Sequence, residues 1–120
     1  MKVRVFAAIV GIGLASVAVA AEDSVTRYHL AGAAGNASKC SLLDPAFARL
    51  HTITVRNGDV EISSAGGIEG RMKEARPGVY AMVFELSGLR LDVVADLTSA
   101  NRTLSVADRQ LGCRWQAAPE

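Results

Sequence analysis

The sequence predicts a mainly β protein: a small antiparallel β-barrel or β-sandwich of about seven strands, with one short helix and one disulfide. Three observations carry that expectation. Apolar and polar residues alternate with period two in several runs beyond residue 21, Asn-Gly, Pro-Gly and Ser-Gly dipeptides separate the runs, and the two cysteines, Cys40 and Cys113, lie far apart in that part of the chain. Alternation marks half-buried strands, and the dipeptides supply the backbone conformations that tight turns demand.

The first 20 residues are of a different kind. Lys2 and Arg4 precede the uncharged apolar run VFAAIVGIGLASVAV, and Ala18-Val19-Ala20 places small residues at both positions read by a signal peptidase, ahead of Glu22 and Asp23. This is the layout of a secretory signal, with residues 1–20 removed and one domain over residues 21–120. A membrane anchor is the competing reading, because the apolar run approaches the length that spans a bilayer. The small residues at its end and the cleavage site favour removal. The expectation is a periplasmic or secreted protein with no stable membrane insertion after cleavage.

The chain carries 13 Lys and Arg against 12 Asp and Glu; without Lys2 and Arg4 the balance is 11 to 12, a net charge of −1 with histidine neutral. No basic excess remains to attract nucleic acid. The length suits one domain with one modest core.

The elements follow in order. Residues 25–31, VTRYHLA, form a first strand with mixed faces, and residues 32–38 a small Gly- and Ala-rich loop. Asp44-Pro45 reads as an N-cap with proline in the first helical position, and Leu43, Phe47 and Leu50 share a face, so about two turns of helix are expected as a plug across one end of the sheet. Residues 52–55 and 60–63 flank Asn57-Gly58, the dipeptide best suited to a type I′ hairpin. With those two as the loop, Arg56 faces Asp59, Val55 faces Val60, Thr54 faces Glu61 and Ile53 faces Ile62, which puts all four aliphatic residues on one face. A slip by one residue would bury Thr54 and Glu61 instead.

Residues 67–78, GIEGRMKEARPG, read as an edge strand running into a type II turn at Pro77-Gly78. Residues 79–86, VYAMVFEL, are apolar on both faces apart from Glu85 and read as a central strand covered above and below. After Ser87-Gly88, the run LRLDVVADL places Leu89, Leu91, Val93, Ala95 and Leu97 on one face; with residues 98–101 as a loop, Ala95 faces Leu104 and Val93 faces Val106. In the last strand, Leu111, Cys113, Trp115 and Ala117 alternate with Gly112, Arg114 and Gln116.

Two cysteines in an oxidising compartment allow one intramolecular pair. It closes a loop of just over seventy residues, for which chain entropy gives roughly 4 to 5 kcal/mol as an upper figure. Neither cysteine has the close partner that redox chemistry uses, and Cys40, Cys113, His29 and His51 match no zinc-binding spacing. The disulfide ties the helical segment to the last strand, with Trp115 packed nearby. It also draws the two ends of the domain together, which favours a barrel.

Signatures of catalysis are missing from the sequence. The serines lie in no Gly-x-Ser-x-Gly elbow and have no histidine close by in sequence, while His29 and His51 read as ordinary surface or packed residues. Nothing selects a glycosidase couple from Glu69, Glu85, Asp92, Asp96 and Asp108, and the glycine-rich stretch at residues 64–67 lacks the ending of a phosphate loop. The expectation is a protein without enzymatic activity, metal or cofactor.

The candidate partner contact is Arg71, Met72, Lys73 and Arg76. On the plain account, cations on an edge strand discourage strand-to-strand association, with Glu69 and Glu74 offsetting the charge. On the sharper account, the segment meets an acidic partner. The functional expectation is a non-enzymatic protein-binding module of the cell envelope, with an inhibitor of an extracytoplasmic hydrolase as its concrete form. In size, single disulfide and strand-rich plan the chain resembles the lysozyme- and protease-inhibitor barrels exported by Gram-negative bacteria, a resemblance of layout from which no residue is carried over. The alternative is a small apolar-ligand carrier of lipocalin-like type, its interior formed from Val83, Leu91, Val93, Val106 and Trp115 or their opposite faces. A barrel of this length with aliphatic interiors usually fills itself with side chains.

Overall fold

The computed structural model describes residues 22–64, 67–86, 88–98 and 102–117. The expected signal segment, residues 1–20, lies outside them. Among the described residues, nine strand segments follow one another: β1 (Ser24–His29), β2 (Ala31–Gly32), β3 (Leu50–Arg56), β4 (Asp59–Ser64), β5 (Glu69–Arg76), β6 (Val79–Leu86), β7 (Leu89–Asp96), β8 (Thr103–Asp108) and β9 (Cys113–Ala117). They form one antiparallel sheet in the order β1-β3-β4-β5-β6-β7-β8-β9-β2. β1 and β2 are consecutive pieces of one strand interrupted at Leu30, so pairing of β1 with β3 and of β2 with β9 wraps the sheet into a nearly closed barrel. With the two pieces of that first strand counted as one, the total is eight, against about seven expected.

The hairpin registers match their expectation. Val55 pairs with Val60 and Ile53 with Ile62, around a turn in which Asn57 and Gly58 both have positive φ, 53° and 84°. Val93 pairs with Val106 and Ala95 with Leu104. All these aliphatic side chains are buried in the interior, which Tyr28, Phe47 and Trp115 complete. Their removal from water is the main favourable contribution to folding.

Three expectations are corrected. β5 is not an edge strand: it pairs with β4 on one side and β6 on the other, its neighbours in sequence, and so lies in the middle of the strand order. β6 is not covered on both faces. As a barrel wall it has one interior face, and the opposite face leaves Val83 53% exposed. The helix is shorter than two turns. A 3-10 segment over Ser38–Leu43 leads into a single α-turn, Asp44–Phe47, with Leu43 rather than Asp44 at the N-cap and no side-chain cap. The Asp44 carboxylate instead accepts a hydrogen bond from the Trp115 indole Nε1 at 2.9 Å.

The two ends of the barrel differ. The turns at residues 57–58 and 77–78, the end of β7 and the start of β8 lie at one, the hairpin end. The other, the helix end, holds the 3-10 and α segments. There the Cys40–Cys113 disulfide is present, with the two Cα atoms 5.7 Å apart. Phe47 packs against Trp115 with ring centroids 4.2 Å apart. No helix among the described residues is long and apolar enough to cross a membrane.

Candidate functional site

The cations singled out in sequence lie on the β5 wall. Alternation along a strand sends successive side chains to opposite faces, so Arg71 and Lys73 point outward while Met72 points inward. Met72 is 3% exposed and belongs to the core, which removes it from the candidate contact. Arg71, Lys73 and Arg76 are all exposed.

A β-bulge decides where Arg76 falls. Lys73 pairs with Ala81 and Glu74 with Tyr80, but the register then shifts, and Arg76 rather than Ala75 pairs with Val79. One extra residue reverses the parity of the strand. Val79 and Ala81 share a face opposite to that of the core residue Tyr80, so the bulge turns Arg76 to the outer side, in line with Lys73 and Arg71. Without it, Arg76 would head for the interior.

The surroundings give this stripe a direction. Glu61 on β4 stands opposite Arg71. On the other side, the outer face of β6 offers Ala81 and the exposed Val83. Among the described residues, neither Arg71 nor Lys73 forms an ion pair. Asp92, opposite Val83, is instead held by Arg109, which grips both carboxylate oxygens. Asp96, opposite Val79, accepts hydrogen bonds from the Thr98 hydroxyl at 2.6 Å and its N–H at 3.0 Å. Those bonds, with a smaller contribution from the Arg76 charge, hold its carboxyl below the usual range. The wall thus carries cations beside apolar surface, with Glu61 and Glu85 on the same outer face and with Asp92 and Asp96 hydrogen-bonded to Arg109 and Thr98.

A second constellation escapes inspection of the sequence. His51 and Ser64 face each other across β3 and β4, both buried, with the imidazole Nδ1 hydrogen-bonded to Ser64 Oγ. His51 Nε2 lies 3.1 Å from the Phe47 carbonyl oxygen. A carbonyl only accepts, so Nε2 carries the proton and Nδ1 accepts from the serine hydroxyl. This is the tautomer a general base requires, but His51 is 0% exposed beneath the α-turn. Burial is the main influence holding its pKa below the ordinary histidine value, with the Phe47 hydrogen bond opposing and the His29 and Arg49 charges adding to the depression. The geometry ties the α-turn to the β3–β4 hairpin. Extending the Ile53–Ile62 register by two residues would have found the pair, because His51 and Ser64 occupy the next inward positions.

Asp108, buried at the helix end, accepts from the N–H groups of Gln110 and Leu111 at 3.0 Å each and so shapes the turn between β8 and β9. Among the described residues there is no cluster of three or more His, Cys, Asp or Glu side chains suited to a metal. Comparison with protein-family models, curated proteins and solved structures yields no match for the chain.

Proposed function

We propose that this chain is an exported, non-enzymatic protein-binding module of the cell envelope, acting on a partner through the outer wall formed by β5 and β6. An extracytoplasmic hydrolase held inactive by that contact is the form we favour. The observation that carries the reading is the bulge, which brings Arg71, Lys73 and Arg76 onto one face. Because β5 is paired on both sides, protection of a free edge no longer accounts for these cations.

A partner that fits the wall presents carboxylates for the cations and a small apolar area for Ala81 and Val83. Charge complementarity of this kind steers encounter and sets orientation. The disulfide is in keeping with an oxidising compartment, periplasmic or extracellular. The carrier alternative draws less support, since Trp115, Tyr28, Phe47 and the aliphatic side chains occupy the interior.

The test is capture of a partner from the host's envelope fraction by the immobilised protein and by the double variant Arg71→Glu with Lys73→Glu. The reading expects the variant to lose the captured protein while its thermal midpoint stays close to that of the parent. Undiminished capture removes the wall as the contact.

A further inference from the structure

The barrel's hairpin end contains a polar interior that the cationic wall does not use. Ser24, Thr26 and Tyr28 pair with Val55, Ile53 and His51, all of them buried, so these three side chains point inward. Arg102, just before β8, reaches across the seam towards β1. Its Nη1 donates to Thr26 Oγ1 at 3.3 Å and to Ser24 Oγ at 3.5 Å.

Two deficits meet here. The half-buried Arg102 guanidinium has only hydroxyl hydrogen-bond partners among the described residues, and hydroxyls do not neutralise its charge. Beneath it, Tyr28 is 0% exposed and its hydroxyl has no hydrogen-bond partner among the described residues. Tyr28 follows Thr26 by two residues on the same inward face, next to the hydroxyl that Arg102 reaches; burial pushes the phenol pKa up, and the charge of Arg102 pulls it partly back. A buried polar group without a partner is uncommon, and a cation partly withdrawn from water is stabilised by a counter-charge beside it.

One group corrects both deficits. A carboxylate supplies the single negative charge that a single guanidinium calls for, matches its planar fork, and accepts from a phenol hydroxyl. A doubly charged phosphate would leave a charge unmatched. Thr103, the next residue, begins the lining of a cleft of about 400 Å³ completed by Leu104, Ser105, Gln116 and Ala117, where β9 comes to its end. Ala117 gives it apolar surface, with Leu104 fully buried behind; Thr103, Ser105 and Gln116 give it hydrogen-bonding groups.

We propose that Arg102, Ser24, Thr26 and Tyr28 form a binding site for one carboxylate, with the chain attached to that carboxylate lying in the cleft between β8 and β9. The site is distinct from the β5–β6 wall and does not depend on the function proposed for it. The carboxylate belongs either to an acyl chain or to the end of a peptide.

The experiment is an NMR titration of the disulfide-bonded protein with octanoate, acetate, trialanine and octan-1-ol at constant ionic strength. Octanoate is expected to give saturable shifts at the Arg102 side-chain Nε–H and at the amides of Thr26 and Ser105. Acetate should shift the same Arg102 signal but bind at least about tenfold more weakly, because it lacks the part that enters the cleft. Octan-1-ol should leave Arg102 unmoved. Arg102→Gln should weaken octanoate at least about tenfold, and Tyr28→Phe severalfold, through loss of the charged fork and of the phenol donor. Tighter binding of trialanine than octanoate assigns the site to a peptide end, and the reverse order to an acyl chain. Shifts that do not saturate, or octan-1-ol binding as well as octanoate, would overturn the proposal even if the Arg102 variant failed to fold. Unchanged octanoate affinity in a folded Arg102→Gln protein would do the same.

Discussion

The two ends of the barrel are closed by different chemistry. At the helix end, a disulfide, an aromatic pair and a part-buried Trp115–Asp44 hydrogen bond hold the α-turn and its 3-10 approach against the last strand. At the hairpin end, an arginine bridges the seam to two hydroxyls above an unpartnered phenol. At the first end the buried side-chain polar groups have partners among the described residues, and Phe47 and Trp115 are packed together. The second leaves a positive charge and a donor unanswered. Stability is thus concentrated at the end with the covalent tie, and the other end and the outer wall retain groups free to meet something else.

The largest effect is expected from breaking the covalent tie. Removing the disulfide by reduction, or by Cys40→Ser with Cys113→Ser, should lower stability by as much as about 4 to 5 kcal/mol, read as a fall in the unfolding midpoint. Phe47→Ala should follow closely, with a loss of about 3 to 5 kcal/mol by denaturant unfolding, because the cavity opens beside Trp115 where the disulfide limits collapse. Equal losses from Thr98→Ala, an exposed change at the hairpin end, would erase the contrast between the ends.

Acidity offers a gentler probe of the helix end. The His51 pKa is lower in the folded protein than in the unfolded chain, so below about pH 6.5 the unfolded state takes up a proton that the folded state resists. Its contribution is therefore complete above the unfolded value and is lost as pH falls from there towards the folded value. Thermal midpoints should decline over that window, and His51→Gln, which keeps a donor for the Phe47 carbonyl and an acceptor for Ser64, should flatten the decline. A profile of the same slope in the variant would assign the acid sensitivity elsewhere.

Much of this architecture is legible in the sequence, where it is local. Asn57-Gly58 determines its own turn, and the turn then determines which residues of β3 and β4 meet. The same register, continued two residues, leads to His51 and Ser64, although nothing in the residues around Ser64 announces a histidine. Met72 was separable from its neighbours by alternation alone, since Arg71 and Lys73 flank it on the opposite face. Non-local matters were not legible. Arg102 meets Ser24 and Thr26 only because β1 returns to the seam. The Asp44 carboxylate shows the same limit: its position predicts a cap, but a partner 71 residues away takes it. The bulge at Ala75, which aligns Arg76 with the other cations, leaves no sign in the period-two pattern.

The smallest expected effect on stability comes from the wall, and it accompanies the largest expected effect on function. Arg71 and Lys73 are exposed and without ion pairs among the described residues, so charge reversal at both should change stability by no more than about 1 kcal/mol in total. The most direct measurement therefore pairs the unfolding midpoint with partner capture, for the parent protein and for Arg71→Glu with Lys73→Glu. The account predicts nearly coincident midpoints and a captured envelope protein that disappears with the charge reversal. Equal capture by both proteins would contradict it.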